Sequence, residues 1–269
     1  MLIPFFLVDA FTDRPFAGNP AVVCLLSEWK EDRWLQAVAA EMNQSETAFV
    51  VDHNADIFKL RWFTPKVEVD LCGHATLASA HVLWQQGIAG PDDEISFSTR
   101  SGVLKAIRRG GDIELDFPAE PEVPVEPPAN LLSALGVTAK YVGKNRFAYL
   151  VEVESETIVR GMTPDFKLLA SVPCRCVIVT CRSSDLNFDF VSRFFAPAAG
   201  IDEDPVTGSA HCCLGEFWKK RLDKDEFLAY QASARGGELR VRVKDDRAFL
   251  GGKAVTVARG ELLVEENEP

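Results

Sequence analysis

Basic side chains are in short supply. Against 40 Asp and Glu the chain sets only 29 Lys and Arg, a formal net charge of −11, which argues against nucleic acid or an anionic membrane as partner. No apolar run approaches the roughly 18 residues of a membrane span. Low-complexity segments are absent, as are a G-x-G-x-x-G dinucleotide loop and a G-x-x-x-x-G-K-[ST] phosphate loop. Ser209 sits in Gly208-x-Ala210 without the G-x-S-x-G elbow of serine hydrolases. The seven cysteines are odd in number and lack framework spacing, which fits free thiols in a reducing cytoplasm. Metal spacing is equally poor. Cys174-x-Cys176 is one residue short of C-x-x-C, and His211-Cys212-Cys213 has no second ligand pair at a familiar distance. Chemistry without a metal or cofactor is therefore expected. The opening Ile3–Asp9, interrupted by Pro4 and with no basic lead-in, reads as a strand and not as a signal peptide.

What is present is a duplication. Asp70-Leu71-Cys72-Gly73-His74-Ala75-Thr76 recurs, diverged, as Asp204-Pro205-Val206-Thr207-Gly208-Ser209-Ala210-His211, with Gly73 and Gly208 separated by 135 positions. Upstream, Arg61-Trp62-Phe63-Thr64-Pro65 recurs as Arg193-Phe194-Phe195-Ala196-Pro197; downstream, Ser101-Gly102-Val103-Leu104-Lys105 recurs as Gly236-Gly237-Glu238-Leu239-Arg240. Three landmarks in one order, about half a chain apart, predict two similar domains facing each other, the period being too long for a solenoid. At 269 residues the chain accommodates a first domain over 1–118 and a second over 129–269, the last strand free to return to the first. The Pro-rich run from Phe117 to Pro128 reads as the linker.

In each copy an aromatic-rich extended run ends at a Pro, crosses a polar turn and enters a helix of small residues, over about Gly73–Gln86 and Gly208–Arg221. Small residues on every side suit a helix threaded through a sheet, not one with a single apolar stripe. The first N–H groups of such helices lack internal partners and carry partial positive charge. A glycine there lets a carboxylate sit against bare backbone. Two such starts would make a cleft for a small anion, although close packing alone also accounts for Gly-small-Ala. Around them the pattern predicts many short strands, an amphipathic helix over Asp32–Asn43, short helices near Asn130–Leu135 and Asp165–Ser171, and a turn at Gly251-Gly252 before a last strand over Val255–Ala258. The class is α+β.

Glu46 lies in Asn43-Gln44-Ser45-Glu46-Thr47-Ala48-Phe49, where a helix gives way to an apolar strand. A carboxyl half-buried there would favour its neutral form and suit proton transfer; a solvated or capping Glu fits the same residues. His74 at a helix start should resist protonation against the dipole. His81 and His211 read as packing residues. Cys72, beside the same helix start, has two readings: a thiol of lowered pKa or a small packing residue.

Taken in order, Asp9-Ala10-Phe11-Thr12, Phe16-Ala17-Gly18-Asn19-Pro20-Ala21, Gln44-Ser45-Glu46-Thr47-Ala48-Phe49, Arg61-Trp62-Phe63-Thr64-Pro65, Cys72-Gly73-His74-Ala75-Thr76 and Glu203-Asp204-Pro205-Val206-Thr207-Gly208-Ser209-Ala210-His211 resemble the phenazine-biosynthesis (PhzF-like) isomerase family along almost the whole chain. The resemblance implies a diaminopimelate-epimerase-like fold: two pseudo-symmetric halves, each a curved, mainly antiparallel, barrel-like sheet around a central helix, with the active site between them. It implies that Glu46 is the catalytic acid/base, assisted by His74 and Asp204, with Gly73, Ala75, Gly208, Ser209, Thr207 and Cys72 at the substrate. It also implies metal- and coenzyme-free proton movement on a small anionic metabolite, and a homodimer. Related epimerases use two cysteines as opposed bases; here Cys72 holds the first position but Thr207 the second, which counts against a two-thiol racemase. A non-catalytic binding relative and a Cys72-dependent epimerase are the alternatives.

Overall fold

The computed structural model describes residues 2–51 and 57–263; Met1, 52–56 and 264–269 lie outside that description. The chain divides into two compact units, 1–116 with 251–269, and 117–250. The first unit begins with strands β1 (Ile3–Ala10) and β2 (Asn19–Leu26), helix α1 (Asp32–Met42), and strands β3 (Glu46–Val51), β4 (Phe58–Phe63) and β5 (Glu68–Val69). Helix α2 (Gly73–Gln85) and strands β6 (Ile95–Thr99), β7 (Gly102–Arg109) and β8 (Asp112–Pro118) follow. The second unit carries β9 (Val123–Pro124), α3 (Leu131–Leu135), β10 (Tyr141–Lys144), β11 (Ala148–Glu152), α4 (Glu156–Gly161), α5 (Phe166–Leu169), β12 (Cys176–Arg182) and β13 (Phe190–Phe195). It continues with α6 (Gly208–Leu222), β14 (Glu226–Gln231), β15 (Gly237–Lys244) and β16 (Arg247–Gly252), after which β17 (Ala254–Leu262) belongs to the first unit.

The two units repeat one topology. In the first, β1 pairs antiparallel with β2, β2 parallel with β3, β3 antiparallel with β4, β4 parallel with β6 and β6 antiparallel with β7. In the second, β10–β11, β11–β12, β12–β13, β13–β14 and β14–β15 alternate in the same way. A parallel neighbour requires a crossover. α1 and α2 supply the two crossovers of the first unit; α4 with α5, and then α6, supply those of the second. This is an α+β fold of two like halves, sheet-dominated, each with one long interior helix.

α1 lays Leu35, Val38 and Ala39 on one sheet face against Val22, Cys24, Phe49, Val51 and Phe63. The other face of β1, β2 and β3 takes α2. Strands covered on both sides should be nearly continuous apolar runs, and β2 (NPAVVCLL) and β3 (ETAFVV) are. α2 is buried around its whole circumference, from His74 through Ala80 and at Val82, Leu83 and Trp84. Its interior hydroxyls return to the helix backbone, Thr76 Oγ1 donating to Cys72 O at 2.6 Å and Ser79 Oγ to Ala75 O at 2.7 Å. α6 is built likewise, with Phe190 stacked on Trp218 at 5.7 Å and Lys219, Lys220 and Arg221 in its last turn.

Three local readings change. Gly251-Gly252 is no turn: both residues extend β16, and a Cβ on Gly252 would stand 2.5 Å from Phe11 Cδ1. Glycine serves close packing there. The Pro-rich run starts at the unit boundary but pairs into the second unit, Val123 opposite Lys144 and Pro124 opposite Gly143. α4 and β10 carried too little periodicity over 6 and 4 residues to be foreseen.

Candidate functional site

Helix α1 stops at Asn43, whose left-handed φ of 48° turns the chain back into β3 with Glu46 as its first residue. Glu46 pairs with Ala21, two residues along β2 from Asn19. Asn19 and Glu46 thus stand at the same end of the sheet, where the first turn of α2 delivers His74. His74 Nε2 lies 3.1 Å from Glu46 Oε2, with both side chains largely shielded from water. On the far side of the ring, Nδ1 is 3.2 Å from Asn19 Nδ2 and 3.5 Å from Cys72 Sγ. In the neutral ring, Asn19 donating to Nδ1 leaves the proton on Nε2, donated to Glu46; in the imidazolium both nitrogens donate, and Asn19 meets Nδ1 with its amide oxygen.

Electrostatics corrects one expectation and favours one of the two readings of Cys72, the packing residue. Burial works against a charged His74, but the Cys72 sulfur and the Glu46 carboxylate outweigh it and hold the imidazole well above its ordinary value of 6.5. The helix dipole, with about half an elementary charge at its end, loses to a full charge at 3.1 Å. Cys72 moves the other way from a helix-activated thiol: burial first, then the Glu46 charge, push it up to about 11. Gly73 is half-buried and Ala75 fully buried, so what these two offer is backbone N–H in the first turn.

The second unit assembles Asp204, Thr207, Gly208 and Ser209 at the start of α6. Thr207 caps the helix with an extended backbone (φ −118°, ψ 105°), much as Cys72 caps α2 (φ −145°, ψ 107°). Its hydroxyl donates to Asp204 Oδ2, and its N–H donates to Gln231 Oε1 at 2.9 Å. Gln231 Nε2 returns to Asp204 O at 2.8 Å. Thr207 and Gln231 therefore orient Asp204, while Ser209 faces outward, exposed. His211 Nδ1 donates to Thr207 O at 2.8 Å, and burial lowers its pKa to about 4, so it is a neutral packing residue. His81 is half-buried with Nε2 3.1 Å from Thr256 Oγ1.

Sequence reasoning passed over two features. One is Asn19, quoted as part of a motif without a role. The other is a pair of arginine clamps. Arg61 holds Glu68 through Nε and Nη2, both at 2.7 Å, just ahead of α2. Arg193 holds Glu203 through Nε at 2.6 Å and Nη2 at 2.8 Å, just ahead of α6, and its Nη1 donates to Met162 O at 2.8 Å. Each also lies over a phenylalanine two positions on, Phe63 at 5.1 Å and Phe195 at 5.0 Å. Both arginines were visible as repeat landmarks; their carboxylate partners were not, because the separations differ, 7 residues against 10.

Among the described residues, no helix is long and apolar enough to cross a membrane. The pattern of the phenazine biosynthesis-like (PhzC-PhzF) family matches residues 8–260. An uncharacterized isomerase of Halalkalibacterium halodurans is 53% identical over 265 residues, covering 98% of this chain and 100% of that one. The mouse phenazine biosynthesis-like domain-containing protein 1 is 40% identical over 287 residues, covering 97% and 99%. The crystal structure of a PhzF-family protein from Enterococcus faecalis superposes with a TM-score of 0.94 at 39% identity, covering 98% and 100%. Fold alone is shared with a probable proline racemase from Agrobacterium radiobacter, at a TM-score of 0.65 and 12% identity. Repeat, fold and sequence agree: this chain belongs to the phenazine biosynthesis-like, PhzC-PhzF family.

Proposed function

We propose that the chain is an isomerase that moves a proton between carbons of a small carboxylate-bearing metabolite, with Glu46 as acid and base and without help from a metal or coenzyme. The observation carrying this reading is the shielded contact of Glu46 Oε2 with His74 Nε2 at 3.1 Å. Glu46 takes a proton from a carbon next to an unsaturated or electron-withdrawing group, and the electron pair of that C–H bond spreads into the group. The protonated Glu46 then returns the proton to a different carbon. His74, favoured as imidazolium, loses its anionic partner as Glu46 is protonated and is left to stabilise the developing negative charge in a shielded setting. Backbone N–H groups of Gly73 and Ala75, in the first turn of α2 beside His74, are proposed to receive substrate oxygens. Relatives named isomerase support the reaction class. A thiol-based mechanism is disfavoured, since Cys72 at about 11 is a poor base near neutral pH.

The test is carbon-bound proton exchange in deuterated water. Small unsaturated carboxylates, amino acids and hydroxy acids are incubated with the protein and followed by NMR. General acid–base help is worth about 10²–10⁴-fold, so Glu46→Gln should slow exchange of an active compound by that factor while ligand binding persists. Exchange in that variant at the wild-type rate would take Glu46 out of the mechanism.

A further inference from the structure

Glu46, Cys72 and His74 each present one ligand atom, and the three atoms lie within 4.8 Å of one another. A thiol sulfur, an imidazole nitrogen and a carboxylate oxygen are the donor types zinc takes. Cys72 Sγ is 3.9 Å from His74 Nε2, and His74 Nε2 is 3.1 Å from Glu46 Oε2. Bonds of about 2.3 Å to sulfur and about 2.0–2.1 Å to nitrogen and oxygen set tetrahedral donor–donor edges of about 3.3–3.6 Å. The two measured edges bracket that span, but Sγ lies nearer Nδ1, at 3.5 Å, so the imidazole must turn to set Nε2 between sulfur and carboxylate. The supports are rigid: Cys72 and His74 flank the start of an interior helix, and Glu46 opens an interior strand. A ligating histidine gives its other N–H to an acceptor. Asn19, 3.2 Å from Nδ1, supplies one when its amide turns to present oxygen. Thiolate and carboxylate together cancel a divalent charge, as a shielded site requires, and three protein ligands leave a fourth position open.

We propose that Glu46, Cys72 and His74 form a site for a thiophilic divalent cation, Zn²⁺ first, that captures the very atoms needed for proton transfer and so holds the protein inactive. Binding forms bonds to Sγ, Nε2 and Oε2 and releases the thiol proton, and any imidazolium proton, to solvent. Only the inhibitory consequence rests on the isomerase reading; the site itself does not.

The test is a titration of the chelator-treated full chain with Co²⁺, read by absorption and independent of turnover. One equivalent should give a sulfur-to-cobalt charge-transfer band in the near ultraviolet with the visible bands of four-coordination, and Zn²⁺ should bleach both. Cys72→Ala should abolish the charge-transfer band. Glu46→Gln, His74→Gln and Asn19→Ala should each weaken binding by about tenfold or more. Of the other six thiols only Cys174 is half-buried, and it is controlled, with neighbouring Cys176, by Cys174→Ser with Cys176→Ser; that variant should keep the full band even if Cys72→Ala fails to fold. Absence of the band in folded wild-type protein, its persistence in Cys72→Ala, or its loss in the Cys174/Cys176 variant would overturn the site. An intact band with no proton exchange on any compound would leave the site standing and remove the isomerase reading instead.

Discussion

Glu46→Gln removes one charge while leaving an oxygen to accept from His74 Nε2. In the wild type, burial opposes imidazolium, and the Cys72 sulfur and Glu46 carboxylate favour it, with the net result raised. Cys72 is itself pushed to about 11 and is uncharged near neutrality, so Glu46 is the charge that matters there. Two unit charges 3.1 Å apart attract by about 5 kcal/mol at an effective dielectric constant of about 20. Without that attraction burial is opposed by the Cys72 sulfur alone, and the pKa of His74 in the variant should fall below its wild-type value. The stability consequence follows in sign. A histidine whose folded pKa exceeds its unfolded one adds stability that is full below about pH 6.5 and fades as pH climbs through the folded value. The wild type should therefore exceed the variant by about 1–3 kcal/mol in that acidic range, the worth of a charge-assisted hydrogen bond, and the gap should narrow on alkalinisation. The assay is a pH titration of ¹⁵N-labelled histidine followed by NMR, His74→Gln assigning the signal among four histidines, with thermal unfolding at matched pH. An unaltered His74 titration in Glu46→Gln would refute the reasoning and weaken the proton-shuttle proposal with it.

Arg193→Met should cost about 2–4 kcal/mol of unfolding free energy, between an exposed and a fully buried ion pair, and a double-mutant cycle with Glu203→Gln should show the two changes to be strongly non-additive. Gly18→Ala places a Cβ 2.1 Å from Ala10 O at a φ of +65°; a left-handed alanine plus a backbone clash should cost about 3 kcal/mol or more, seen in chemical denaturation. Asn19→Ala should lower stability by about 1–3 kcal/mol and slow turnover more than it alters substrate binding, read as a kcat effect. Iodoacetamide near neutral pH should modify half-buried Cys174 before buried Cys72 in the folded chain, checked by peptide mass mapping; rapid loss of activity tracking Cys72 labelling would restore the thiol mechanism.

Much of the architecture was legible because duplication writes itself twice. Gly73 and Gly208 begin their helices where the small-residue runs begin, and the ends differ by one residue from expectation, Gln85 for Gln86 and Leu222 for Arg221. Glu46 came from a resemblance and not from its neighbours, since a polar residue opening a strand has the same pattern whether solvated or shielded. The company it keeps was hidden: His74 and Cys72 are more than twenty residues away, and only parallel pairing of β2 with β3 brings Asn19 to that end of the sheet. His74 was misjudged for the same reason, the dipole being local to the sequence and the carboxylate being tertiary. Gly251-Gly252 failed because a glycine pair signals a turn and a tight packing contact alike.

Strand β1 finds its second neighbour in β17, Ala10 opposite Ala254 and Ile3 opposite Leu262. During synthesis β1 must therefore wait for residues 254–262, with a whole unit of 117–250 emerging in between. A nascent chain halted before position 254 would show an open strand edge, the template on which chains misassociate. Such distant closure also slows folding, since a long loop must close before its contacts are rewarded. The central unit can mature as an insert while the outer one stays unfinished, so production of this protein should be sensitive to early termination and to whatever shields β1 in the meantime.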